Sequence, residues 1–399
     1  MNALLFVAIS LVSGFGGTAM ALVAGVWILD LTGSVSQAGL AGLCVYAPTL
    51  LAPWLGGLVD RWPRRTLVIT VDVLLAAALV TLFAVRSRDQ VWLIFAVLVA
   101  YGIGYVLLDA GESALLPAAL PASALGRVNG WRSSAQEGMK LFAPLAGAAL
   151  YAWQGGGAVA AMSAAMPLLA AAMYALLRLD VPAPAPSRSS GSPSPVAASS
   201  GPAGAGLRAG LAVLWGRRAT RDPVLIASVA IGLSGFTTAA VYARVTEGLG
   251  LPSTFLGVLA SAQGAGSILA GLVVGRVMAS RGTTTTTAMA GAVAFALACL
   301  LWCLPWWPSM IAGSVAAGVG LPCALVAAVT AVQTGTPSHL LGRVAATSNT
   351  VMFGPIALTN PLGAAAVHLG NRIPLTFAAA VALIAAASIT RRRVLAQPA

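Results

Sequence analysis

Twelve apolar runs follow one another along this chain, separated by short connections in which Gly, Pro and Arg collect. They fall at roughly 3–29, 38–58, 67–86, 91–114, 131–153, 158–178, 224–246, 254–279, 284–304, 309–331, 344–368 and 373–390. A helix rises ~1.5 Å per residue, so about 20 such residues cross the hydrocarbon of a bilayer with every backbone polar group satisfied internally. The pattern predicts an all-α polytopic membrane protein of twelve transmembrane helices. The first run lacks a basic leading segment and is too long for a signal-peptide core, so it reads as a retained helix.

Polar interruptions within the runs fall at helical spacing. In the fourth run Tyr101, Tyr105, Asp109 and Glu112 form one polar stripe. In the fifth, Ser133, Glu137, Lys140 and Pro144 do the same, with Arg132 and Gln136 beside them. Glu137 and Lys140 are one turn apart and can pair. Charged groups inside a membrane are costly and are functional candidates by default. Of ten acids, Asp30, Asp89 and Glu247 lie at run ends, Asp180 and Asp222 flank the central connection, and Asp60 lies between the second and third runs. Asp72, Asp109, Glu112 and Glu137 remain, all in the first half. A proton carried on an acid is therefore carried by the first six helices. Asp109, and Glu137 with Lys140, are the proton-coupling candidates, each acid ~8–12 Å deep at the helical rise. The Glu137–Lys140 pair reads equally as a fixed ion pair that sets helix packing.

An internal echo divides the chain in two. Pro121, Gly126, Arg127 and Val128 recur as Pro337, Gly342, Arg343 and Val344 at an offset of 216, and Gly56 and Arg61 recur as Gly271 and Arg276 at 215. One long repeat in an apolar chain indicates two stacked bundles. Between them, residues 181–206 are almost entirely Pro, Ala, Ser and Gly and cannot bury enough surface to fold. The expected organisation is a six-helix bundle at 1–180, a linker at 181–222 rich in Pro, Ser, Gly and Arg, and a second bundle at 223–399.

Composition and charge agree. Charged residues make up 8% of the chain, against about 25% in globular proteins. Sixteen Arg residues fall in the even-numbered connections and the C-terminal tail and four in the odd ones, which predicts cytoplasmic termini. The net charge of +12 is then a matter of topology and anionic lipid, not of nucleic acid. The four cysteines lie in apolar spans without metal-ligand spacing.

The connection Gly56-Gly-Leu-Val-Asp60-Arg61-Trp-Pro63-Arg64-Arg65 resembles the signature loop of the major facilitator superfamily: Gly, three residues, Asp-Arg, then Gly and two basic residues. Pro63 stands where Gly is usual. Ala114-Leu-Leu-Pro117 through Gly126-Arg127-Val128-Asn129 is similar to the macrolide-efflux and siderophore-exporter branch of bacterial drug:proton antiporters. The resemblance covers the whole chain. It implies two pseudo-symmetric six-helix bundles around a cavity that opens alternately to each side of a bacterial cytoplasmic membrane. It also implies that Glu112 and Asp60 brace Arg61, Arg64 or Arg65, with Asp72 joining the brace. Antiporters of the superfamily carry Gly-Pro-x-x-Gly-Gly at the end of helix 5. Gly130, Pro144 and Gly147 match that helix's pattern, whereas Met139, Ala143 and Ala148 depart from it. Antiport and plain helix packing with a proline bend both stay open.

The helices that border such cavities offer Tyr46, Tyr101, Tyr105, Gln136, Tyr242, Gln263, Asn349, Met352, Phe353 and Asn360. A mostly apolar wall with a few hydrogen-bonding groups suits a lipophilic substrate. His339 lies in a connection and His368 near a helix end, so neither reads as a proton relay. The two histidines form no catalytic grouping, and the chain has no Gly-x4-Gly-Lys-Ser/Thr phosphate loop. The expectation is a monomeric secondary transporter, not an enzyme, without cofactor, whose partners are a small molecule, protons and lipid. A facilitator or importer, or a non-transporting sensor on the same fold, are the alternatives.

Overall fold

The computed structural model describes residues 2–51, 62–178, 211–212, 214–281, 283–336 and 341–394. These residues are helical throughout apart from short turns. The first helices are α1 (Asn2–Thr32), α2 (Val35–Tyr46, continued by the 3-10 turn Ala47–Leu51), α3 (Arg64–Val80) and α4 (Val91–Ala119). One helical run, Ala122–Ala175, is broken at Gly155, whose φ of 74° lies in the left-handed region. Its two parts are α5 (122–154) and α6 (156–175). The indole of Trp27 lies where Gly156 would carry a side chain, so Gly155 and Gly156 make a corner that larger residues do not fit. The second half comprises α7 (Arg218–Ala243), α8 (Phe255–Arg281), α9 (Thr284–Trp302), α10 (Trp307–Gly335), α11 (Leu341–Ala366) and α12 (Ile373–Val394).

Ten helices among the described residues are long and apolar enough to cross a membrane. That number takes α5 and α6 as one span, and the described part of α2 is too short to qualify. With those two, the number is the twelve expected. Gly56, Asp60 and Arg61 of the signature loop, His339, and most of the 181–222 linker lie outside the described residues.

Each half packs on itself: α1 against α5 and α6, α3 against α4 and the α5–α6 run, α7 against α11, α9 against α10. Lipid is as apolar as leucine, so burial of apolar surface does not hold such helices together; close packing of small residues does. The many Gly and Ala at these contacts supply it.

The two ends of the molecule differ. At the basic end, where the chain starts, Asn2 Nδ2 donates to the carbonyls of Ala119 (2.9 Å) and Arg178 (2.7 Å), tying three helix ends of the first half. Arg217 donates to Gly335 O (3.0 Å) in the second half. The core clusters here are separate: Phe6, Val68, Leu115 and Tyr174 in one half, Val224, Ala328, Val344 and Met352 in the other. At the far end a single cluster runs through both halves, with Val23, Trp27 and Leu98 joined to Ala240, Phe295 and Ala364.

Hydrogen bonds cross the halves at that far end. Ser36 donates to Ala364 O (2.7 Å) and shares a 3.1 Å bond with His368 Nε2, while Ser253 donates to Asp30 Oδ1 (2.8 Å). The seam continues inward through α2 on α11 and α5 on α8. On the latter, Gly264 meets the carbonyl of Lys140, where a side chain has no room.

Candidate functional site

A cavity of about 290 Å³ lies on this seam, lined by Leu22, Gly42 and Tyr46 of the first half and by many residues of α7, α8, α10 and α11. Most of its hydroxyls are already engaged. Ser234 donates to Ile231 O (2.7 Å), and Thr237 and Thr238 both donate to Ser234 O (3.1 Å). Asn360 differs: it is buried, lines the cavity, and its Oδ1 has no hydrogen-bond partner among the described residues. A buried, unsatisfied amide oxygen costs about 1–3 kcal/mol, and a donor on a bound molecule removes that cost. Among the described residues, the wall contains no Asp, Glu, Lys, Arg or His.

Of the cavity candidates read from the sequence, Tyr46, Tyr242, Gln263 and Asn360 line this space. Met352 does not: it is fully buried in the second half's basic-end core, where Phe353 also packs. Both stand on α11 turned into their own bundle, a helix-face assignment that spacing alone leaves open. Tyr101 closes on Gly17 of α1, and Asn349 and Gln136 are exposed and do not line the cavity. Tyr105 is exposed and lies within electrostatic reach of both Tyr46 and Asp109. It therefore connects the cavity rim to the acids of α4.

Among the described residues these acids gather around Arg132, while Asp60 and Arg61 of the expected brace lie outside them. Arg132 of α5 forms an ion pair with Glu112, and its Nε donates to Ser10 Oγ of α1 (3.1 Å). Asp109, one turn back on α4, is exposed and lies within reach of the same guanidinium. Arg65 instead donates to the carbonyl of Ala175. Asp72 is 2% exposed, lies within electrostatic reach of Glu112, Tyr101 and Tyr174, and its Oδ2 has no partner among the described residues. One Glu112 oxygen is likewise unpartnered there. The carboxylate of Glu112 is thus held by Arg132 within the bundle, and Asp72 is buried on the neighbouring α3.

Glu137 and Lys140 pair at 2.6 Å with side chains 41% and 52% exposed, a contact one turn of helix supplies. Of the helix-5 positions, Pro144 and Gly147 are buried, Gly147 against Ala19 of α1, while Gly130 meets nothing. Sequence reasoning passes over three groups. Tyr174 and Ser10 join the α4–α5 ion pair from distant parts of the chain, and His368 becomes a cross-half contact. Arg244, assigned to a connection, is buried and donates to the carbonyls of Trp302 (3.0 Å) and Leu304 (2.9 Å). It satisfies the carbonyl end of α9, which a helix leaves without partners.

A helical bundle with a cavity between two six-helix halves is the architecture of a membrane transporter. Residues 4–241 match the family model of the Major Facilitator Superfamily, and the chain belongs to that family. It is 31% identical over 134 residues to macrolide efflux protein A of Streptococcus pyogenes, a match spanning 32% of this chain and 33% of that protein. Among solved structures it superposes on a bacterial homologue of the human lysosomal transporter Spinster, inward-facing and unoccupied, with TM-score 0.67, 14% identity and 98% of each chain covered. A bacterial homologue of the iron transporter ferroportin, also inward-facing, gives 0.67 at 15% identity over 98% of each chain. The nucleoside transporter NupG gives 0.70 at 11% over 98% of each. These likenesses show the fold.

Proposed function

We propose that this chain exports a small lipophilic compound across a bacterial cytoplasmic membrane in exchange for protons, by alternating access. The observation that carries this reading is a division of polar groups between the halves. An uncharged, hydrogen-bonding cavity sits mainly in the second half, and the buried acids sit in the first. Tyr46, Tyr105 and Asp109 lead from one to the other. Asp109 and the Glu137–Lys140 pair are the candidates for proton exchange that the sequence offers. The likeness to a macrolide efflux protein supports export and a drug-sized substrate.

The arginine-rich connections support a cytoplasmic basic end. With that orientation, the joined far end and separate basic-end cores favour an inward-facing arrangement of a monomeric carrier, its halves divided at the 181–222 linker. The cavity wall fits an uncharged part of a substrate with one strong donor for Asn360.

The test is transport into inside-out proteoliposomes of purified protein with a radiolabelled macrolide, with and without an imposed pH gradient. Accumulation driven by the gradient, and abolished by a protonophore, is the expected result. Equilibration that ignores the gradient would make the protein a facilitator. Ser87→Cys in a cysteine-free background should label from outside intact cells; labelling from the cytoplasm alone would invert the orientation.

A further inference from the structure

Three acids and one arginine gather in the first bundle near its basic end, Asp109 at an exposed position and the others largely buried. Arg132 from α5 is paired with Glu112 and lies within reach of Asp109, both on α4; Asp72 of α3 lies within electrostatic reach of Glu112. Tyr101 of α4 and Tyr174 of α6 lie within electrostatic reach of Asp72, and Ser10 of α1 accepts from Arg132. With every acid ionised, this group would hold three negative charges against one positive charge. Glu112 and Arg132 are 12% and 15% exposed and offset one another. Asp72, at 2% exposure with an unpartnered oxygen, has no such partner among the described residues. Burying an unpaired carboxylate costs far more than any one contact in this bundle offsets, and two carboxyls sharing a buried site do not both ionise. A proton removes the cost. The unpartnered oxygen is the place for it.

We propose that the coupled proton is held between Asp72 and Glu112, with Arg132 compensating the charge that remains and Asp109 passing the proton to and from the cavity. This rests on the proton-coupled reading above and moves the storage site away from Glu137. The chemistry is one O–H bond made on a carboxylate when the proton loads and broken when it leaves through Asp109. Asp109 suits that passage because it is exposed, one helical turn from Glu112, and next to Tyr105 on the path to Tyr46. In this account Asp72 is a permanent member of the buried site, and the exposed Glu137–Lys140 pair takes no part in storage.

The proposal is tested by infrared difference titration of the full-length protein in nanodiscs, alongside transport. The expected result is a protonated-carboxyl band at neutral pH that disappears in Asp72→Asn and shifts in Glu112→Gln. Asp72→Asn should lose gradient-driven macrolide accumulation while retaining macrolide counterflow, which also shows that it is folded. If Asp72→Asn does not express, Glu112→Gln and Asp72→Glu carry the same readouts. Absence of the band in the wild-type protein overturns the assignment, as does Asp72→Asn with full gradient-driven accumulation. A wild-type protein that ignores the gradient sinks the proton-coupled reading itself, a result distinct from both.

Discussion

The two halves repeat one plan, yet they have diverged in what they bury. The first encloses Asp72 and the Glu112–Arg132 pair; the second encloses Asn360, Ser and Thr hydroxyls and one arginine, Arg244, which is committed to the end of α9. Two bundles built on one plan leave each free to specialise. Charge in a bilayer is tolerable only where it is matched, so gathering it in one bundle leaves the other to shape a neutral cavity. The apolar cores differ between the two ends as well: the halves share one core at the far end and keep separate cores at the basic end.

The largest expected effect comes from breaking the first half's charge balance. Arg132→Met leaves Glu112 buried without its cation and should destabilise the protein by ~3–5 kcal/mol, read as a lower melting temperature and poor expression. Adding Glu112→Gln should restore most of that stability, because the lone charge is gone. If the single variant is as stable as the wild type, the pair is solvated and the contrast between the halves is weaker than drawn. Asn360→Leu addresses the second half. It should weaken macrolide binding about tenfold, equivalent to ~1.4 kcal/mol, with the response to the pH gradient unchanged. A lost gradient response with intact binding would mean that the second half shares in coupling.

Two smaller effects sharpen the picture. Ser36→Ala removes a bond across the far-end seam worth about 1 kcal/mol and should shift the balance toward the opposite opening about fivefold, seen as longer spin-label distances between positions Arg88 and Asn371. Lys140→Met with Glu137→Gln removes an exposed pair worth ~0–1 kcal/mol. Stability and gradient-driven transport should hardly change; loss of coupling in that double variant would return the proton to Glu137.

The spans are legible in the sequence because lipid enforces one rule on every residue of a crossing helix, and about twenty apolar residues satisfy it. The corner between α5 and α6 is legible too, since Gly155, Gly156 and Gly157 stand between the fifth and sixth apolar runs and the turn falls on the first of them. Side-chain partners are not. The spacing of Glu137 and Lys140 brings them together on one helix, as the local geometry requires. Arg132 and Ser10 are 122 residues apart, and nothing in a helical period relates them. Rotation of a helix about its axis is equally hidden: in an α11 that is apolar on several sides, the pattern does not say that Met352 turns into the bundle while Asn360 turns to the cavity.

The far-end seam has a consequence for how the carrier idles. Its cross-half hydrogen bonds come from Ser36, with Ala364 and His368, and from Ser253 with Asp30; beside them, small residues such as Gly39 and Ala239 touch. Each hydroxyl bond is worth about 1 kcal/mol, and water offers replacements once the seam parts. Among the described residues, no salt bridge joins the two halves there. A closure of this make is a latch rather than a lock. In the alternating-access reading proposed above, an empty carrier swings without first being unlocked by cargo, and the supply of substrate and protons on each face sets the direction of net flow.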